Sequence, residues 1–243
     1  MKRTLRIKRL LLIIVCIAAA IAMLFAGTDR LCNGFMNAYQ RVLADEVNDS
    51  SNIDDSIPVI MLDAGHGGYD SGSLSVYGQA EKDITLELTL LIGERLEEAG
   101  YSVAYTRTSD EVDWPSDNRL DLRARVEKAV EADADYYISI HTNASEEGIE
   151  AYGFETYVDL QDTQMVEMAQ SVHAQLDQIN YSYDRGLKDG VENQLYVISS
   201  NPVAAMLIEI GFITDDEDLW AMTMEQESLA QAIAQGIIQS IEE

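Results

Sequence analysis

At 243 residues the chain has room for one sizeable domain and a short appendage, and its 47% hydrophobic and 24% charged content suits a soluble core. Its charge is unevenly placed: removing the five basic residues of positions 1–27, where there is no acid, leaves 11 of the 16 basic residues against all 43 acidic ones, a balance of −32. A body that acidic is excluded from nucleic-acid binding through phosphate contacts, and it is repelled by anionic lipid headgroups and wall polymers.

The first element is a basic segment, residues 1–9, carrying Lys2, Arg3, Arg6, Lys8 and Arg9. The uncharged run from Leu10 to Ala26 follows, within residues 10–27, and is near the lower limit of roughly 17–25 residues for a membrane-spanning helix. Positive charge ahead of it predicts an N-in, C-out anchor. The rival reading, a cleaved signal followed by secretion, wants a shorter apolar region and a small-x-small site, whereas Leu24 stands where a small residue belongs. Residues 28–56 read as a helical stalk, with Leu31, Phe35, Tyr39, Val42 and Leu43 at helical spacing, and an acidic linker from Asp45 to Ser56. Cys16 and Cys32 are the only cysteines, so any metal in the remainder must be held by His, Asp or Glu.

The globular domain is expected over residues 57–243. Val59–Leu62 reads as a buried strand and Ala80–Ala99 as a helix, with Ile84, Leu88, Leu91, Ile92 and Leu96 on one face and Gly100 as its stop. Ser102–Thr106 is a second strand and Leu120–Ala132 a helix with Leu122, Val126 and Val130 one turn apart. Tyr136–Ile140 and Phe154–Val158 are further strands, and Gln164–Ile179 is a helix striped by Met165, Ala169, Val172 and Leu176. Leu195–Ile198 and Met206–Ile210 read as strands and Ser228–Ile241 as the C-terminal helix. This alternation predicts a single α/β domain whose central mixed, mostly parallel sheet is flanked by helices on both faces, preceded by one N-terminal membrane helix. In such sheets function collects at the carboxyl ends of strands.

Two of the three histidines stand at such ends. His66 lies in Asp63-Ala64-Gly65-His66-Gly67-Gly68, where glycines allow a sharp turn and close approach to a ligand, and His141 ends the third strand. The third, His173, falls beside a core stripe and reads as a surface or boundary residue. Glu81 opens the helix after the His66 loop, where an acid also suits the helix dipole. Glu209 interrupts the apolar run Met206-Leu207-Ile208-Glu209-Ile210; burial there is costly unless the carboxylate is paired or on a metal, and a raised pKa suits a general base. Two imidazoles and one carboxylate make a catalytic zinc (Zn2+) site with a position left for water, and a second carboxylate can move the proton. No His-Glu-x-x-His helix occurs, so the common zinc peptidase folds are not indicated.

Asp63-x-Gly65-His66-Gly67-Gly68, Glu81-Lys82-Asp83, Ser139-Ile140-His141-x-Asn143-Ala144 and Glu209-Ile210-Gly211-Phe212 stand in the order found in the zinc-dependent N-acetylmuramoyl-L-alanine amidases, and residues 57–243 resemble that catalytic domain. The resemblance implies that His66, Glu81 and His141 bind zinc and that Glu209 is the catalytic carboxylate. It also implies hydrolysis of the amide joining muramic acid to L-alanine in peptidoglycan. Gly153-Phe154-Glu155-Thr156 and Arg185-Gly186-Leu187-Lys188 resemble segments that line or support the cleft. Ala64 departs from the proline common at its position, and the stretch from Val158 to Gln164 is too short for an inhibitory helix. An anchor joined to a bare catalytic domain is similar in layout to amidases that process spore cortex. A zinc peptidase cutting within the stem peptide is the alternative enzyme, and a non-catalytic wall-binding module the alternative without chemistry.

Overall fold

The computed structural model describes residues 57–146 and 150–243; the expected anchor, stalk and linker lie outside them. Among the described residues no helix is long and apolar enough to cross a membrane. The elements are β1 (Val59–Ala64), α1 (Glu81–Glu98), β2 (Ser102–Tyr105), α2 (Asn118–Glu131), β3 (Tyr136–Asn143), β4 (Phe154–Val158), α3 (Thr163–Gln178), β5 (Asp184–Asp189), the short α4 (Tyr196–Ser199), β6 (Ala204–Phe212), α5 (Asp216–Met224) and α6 (Gln226–Glu242). The six strands form one sheet in the order β2-β1-β3-β6-β4-β5. Only the β4–β6 pairing is antiparallel, so the sheet is mixed and mostly parallel.

Both faces are covered, as the near-continuous burial along β1, β3 and β6 requires. Ile60, Leu62, Ile138, Ile140, Met206 and Ile208 join one core with α1, α3 and α6. Met61, Tyr137, Ala205 and Leu207 join a second with α2 and α4. Helix starts are set by local chemistry: Asp117, Asp162 and Asp215 each accept a backbone N–H of the first turn of α2, α3 and α5. α1 ends where expected, with Gly100 at φ 97 just beyond its last turn.

Three expectations are corrected. Leu195–Ile198 is not a strand; Tyr196–Ser199 is a single helical turn that drops Val197 and Ile198 into the second core, and so short an apolar run carries no period to tell the two apart. On α2 the buried apolar positions are Val126 and Ala129, while Val130 is 53% exposed, because the helix presents its small residue to the sheet. His173 is not at the surface. It is 5% exposed, Nδ1 donates to Asp184 at 2.8 Å, and Nε2 accepts from Thr156 Oγ1 at 2.9 Å, so one imidazole joins α3 to β4 and β5.

Burial lowers the pKa of His173 below its ordinary 6.5, with Asp184 opposing. The neutral ring is therefore the folded form, and below pH 6.5 the unfolded chain takes up a proton that the folded chain refuses. In chemical denaturation followed against pH, the stability advantage of the native protein over His173→Gln is expected to be full above pH 6.5. It is expected to shrink as pH falls from 6.5 toward the lowered folded value; an advantage that grows toward acid would contradict a neutral buried ring.

Candidate active site

Leaving β1, the chain turns through a left-handed stretch, His66 at φ 60, Gly67 at 125 and Gly68 at 58. Holding a histidine there costs about 1 kcal/mol, and the surroundings must over-determine it. They do so with two buried arginines that the sequence reading did not select. Arg107 donates to the carbonyls of Ala64 at 3.0 Å and Gly65 at 2.9 Å. Arg125 donates to Ala64 at 2.9 Å and to His66 at 2.6 Å, and to Asp63 at 2.8 Å. Asp63 also accepts from Thr106 and Ser139 at 2.6 Å each, and Arg125 holds its carboxyl well below the usual range against the cost of burial.

The loop brings His66 to Glu81 at the start of α1 and to His141 near the end of β3. Nε2 of His66 is 3.2 Å from Glu81 Oε1, and Nδ1 of His141 is 3.1 Å from the same oxygen. The two rings meet edge to face, 4.8 Å between centroids. This approach is possible because Gly65 has no side chain: a Cβ there would collide with the His141 ring. Gly72, at φ 63, is needed for the same reason, since a Cβ would strike Glu81 and His66.

One donor atom from each of His66, Glu81 and His141 lies within 4.8 Å of the other two, so the three could hold one metal ion. The donor set fits zinc: two imidazoles and a carboxylate, with no thiolate, leaving further positions open. The supporting bonds fit as well. His66 Nδ1 donates to Asp70 at 2.7 Å, which leaves Nε2 free to ligate, and Asp70 is itself held by the N–H of Gly72 at 3.0 Å. Glu81 accepts the N–H groups of Ser73 and Thr142, each at 2.9 Å. Burial raises the Glu81 pKa, but His141 and His66 outweigh it and hold the carboxyl ionised well below its usual range.

Glu209 is placed beside this trio by the sheet. It pairs with His141 across β3–β6 and with Glu155 across β4–β6, so the three share one face of the sheet. Its Oε2 is buried with no hydrogen-bond partner among the described residues. Burial pushes its pKa up to about 7, with Glu81 and Glu155 adding and the imidazoles opposing. Glu155, by contrast, is fully engaged: Asn143 and Tyr157 donate to one oxygen at 3.1 Å, and Arg185 to the other at 2.9 Å. Arg185 also lies over the Phe212 ring at 4.9 Å. The two carboxylates, Glu81 and Glu209, are thus driven in opposite directions by their surroundings.

The model of the N-acetylmuramoyl-L-alanine amidase family matches residues 60–240. Among curated relatives, protein YqiI of Bacillus subtilis is 35% identical over 182 residues, covering 73% of this chain and 82% of that protein. The N-acetylmuramoyl-L-alanine amidase LytC of B. subtilis is 30% identical over 183 residues, covering 74% of this chain and 34% of LytC, so the chain spans about a third of that relative's length. Among solved structures, an N-acetylmuramoyl-L-alanine amidase from Clostridium difficile 630 superposes with a TM-score of 0.69 at 28% identity, covering 77% of this chain and 98% of that one.

In the metal-free protein, burial disfavours charge on His66, but Glu81 and Asp70 prevail and hold its pKa up at about 9. A metal must displace that proton. Calorimetric titration of the metal-free protein with zinc is therefore expected to show affinity rising about tenfold per pH unit from 6 toward 9, with proton release. A flat pH profile would mean that His66 does not ligate.

Proposed function

The chain belongs to the N-acetylmuramoyl-L-alanine amidase family and is an amidase of peptidoglycan, and on that premise we propose that His66, Glu81 and His141 hold zinc while Glu209 handles the proton. Bound there, zinc supplies an acidified water and a Lewis acid for the substrate carbonyl. The remaining work falls to the chain's own groups. Glu209 Oε2, unpartnered and with a pKa of about 7, takes the proton of the attacking water and returns it to the nitrogen of L-alanine as the bond to the lactyl carbonyl breaks. Asp70 keeps His66 in one tautomer and one orientation, and Thr142 and Ser73 keep Glu81 ionised and in place. The observation that carries the reading is that buried carboxylate oxygen, without a partner among the described residues and on the same sheet face as His141.

Glu209→Gln is expected to keep its zinc and lose about 100- to 10,000-fold in kcat, since general acid–base groups contribute that much. His141→Ala is expected to lose both metal and turnover, and a chelator should abolish activity of the native protein. Mass spectrometry of digested wall should find muramic acid freed of peptide and new L-alanine amino termini. Shortened stem peptides still attached to glycan would instead identify a peptidase, and full activity in Glu209→Gln would remove the assigned proton carrier.

We further propose that residues 10–27 anchor the enzyme outside the cytoplasmic membrane, supported by the basic residues ahead of an uncharged 17-residue run, Leu10 to Ala26. The domain boundary at residue 57 and a role in cortex processing rest on the same layout. Fractionation of cells making the full-length chain is expected to place it in the membrane pellet at its full mass. A soluble form about 27 residues shorter would establish the cleaved, secreted alternative.

A further inference from the structure

β3, β6, β4 and β5 lie side by side, and they set four polar residues in a row across the sheet. His141 pairs with Glu209, and Glu209 with Glu155. The fourth is Arg185, and an irregularity of the sheet puts it there. From Phe154 to Thr156 β4 advances two residues while β5 advances three, from Asp184 to Leu187, so Arg185 and Gly186 both stand opposite Glu155. Gly186, at φ 79, takes the left-handed turn that this bulge needs, and the Asp184 carboxylate accepts its N–H at 2.7 Å. An extra residue of this kind re-aims a side chain. Here it turns Arg185 to the Glu155 carboxylate, whose Oε2 accepts from Nε at 2.9 Å.

The guanidinium is held by three groups. Nε is on Glu155, Nη1 donates to the Tyr152 carbonyl at 3.2 Å, and the group lies over the Phe212 ring, 4.9 Å from its centroid. Nη2 has no hydrogen-bond partner among the described residues, and the side chain is 33% exposed. Arg107 and Arg125 differ on both counts: they are buried, and Nη2 of each is spent on backbone carbonyls. A fork fixed through two of its nitrogens, with a third left over at a partly exposed position, is preorganised for an acceptor oxygen from outside the chain.

We propose that Arg185 is a substrate-binding residue whose Nη2 donates to the carbonyl oxygen of the L-alanine being released. The proposal rests on the amidase reading, in which the lactyl carbonyl faces His66, Glu81 and His141 and the alanine nitrogen faces Glu209. The strand order then sets the direction of the substrate. β3 takes the carbonyl side of the scissile bond and β6 its nitrogen, so the alanine runs on toward β4 and β5. Neighbouring strands are about 4.8 Å apart, and an extended residue spans about 3.5 Å. An alanine nitrogen over Glu209 therefore sets the alanine carbonyl over Glu155, within reach of the guanidinium bound to that carboxylate. A contact to that carbonyl, outside the bond being broken, is made equally before and during bond breaking, so it acts on KM and not on kcat.

The test uses the full-length protein and solubilised peptidoglycan fragments. Arg185→Met is expected to lower kcat/KM about tenfold through KM, the size of one hydrogen bond to a charged group, while the zinc affinity of the metal-free protein stays native. Arg185→Lys keeps a cation for Glu155 but not the fork, so it should show most of the same loss, and it carries the test if Arg185→Met does not fold. A Glu155→Gln background separates substrate contact from charge balance, because the amide still offers Nε an acceptor; replacing Arg185 there should cost as much. N-acetylmuramoyl-L-alanine methylamide should compete with the fragments about tenfold better than N-acetylmuramoyl isopropylamide, in which a methyl group replaces the alanine carbonyl group. Against Arg185→Met the two should compete equally. A loss that vanishes in the Glu155→Gln background, a loss confined to kcat, or equal competition in the native protein would each overturn the contact. Native protein that cuts no fragment would instead strike the amidase reading and the contact with it.

Discussion

Three consecutive backbone carbonyls, those of Ala64, Gly65 and His66, end in the interior and are answered by the guanidinium groups of Arg107 and Arg125, which are 4% and 3% exposed. A loop that leaves a strand in a left-handed conformation cannot give its carbonyls to a neighbouring ladder, and an unanswered buried carbonyl is expensive. Arginine answers several at once because its donors form a rigid fork. The two positive charges are balanced inside the same region by Asp63 and by Asp121, which accepts from Arg125 Nε at 2.5 Å. Removing one member of such a cluster strands the others, at a cost of about 3–5 kcal/mol. The site's geometry hangs on this arrangement. Arg107 also donates to the Lys82 carbonyl in the first turn of α1, so a single side chain ties the His66 loop to the helix that presents Glu81.

The residues that gather at the site were legible in the sequence, whereas the groups that hold them were not. His66, Glu81, His141 and Glu209 stand out because each breaks a local pattern: glycines around one imidazole, an apolar strand interrupted by a carboxylate. Their convergence into one cluster follows from three adjacent parallel strands ending on the same side of the sheet. Arg107 and Arg125 break no pattern. One follows a strand and the other sits among helical polar residues, and their meaning lies in contacts 42 to 62 residues away in the chain. His173 was misplaced for a similar cause, since its partners Thr156 and Asp184 come from strands that no local period could link to it.

The fold shows the same division. Strands with apolar runs and helices with a long apolar stripe are readable, because period and length both speak. β5, with the sequence Asp-Arg-Gly-Leu-Lys-Asp, is polar because it is an edge strand with partial exposure at every position, and it carries no alternation to read. α5 begins in a run of acids that looks like a loop; the Asp215 cap and the favourable dipole make it a helix start instead.

Glu81 and Glu209 show how one residue type is driven in two directions by its surroundings. Glu81 receives two backbone N–H groups and faces two imidazoles, so the charged form is favoured even though the side chain is almost fully buried. Among the described residues Glu209 receives no hydrogen bond on Oε2, and it has Glu155 as its register partner. Arg185, Asn143 and Tyr157 engage both oxygens of Glu155, and Glu155 adds to the rise in the Glu209 pKa. A carboxylate held ionised and one whose pKa is raised are what the proposed acid–base hydrolysis requires of its environment. The sheet achieves this separation by register alone, setting His141, Glu209 and Glu155 side by side on β3, β6 and β4. A one-residue slip of β6 would turn Glu209 to the opposite face and bring an apolar neighbour in its place, so the register of β6 against β3 and β4 is what sets Glu209 beside His141.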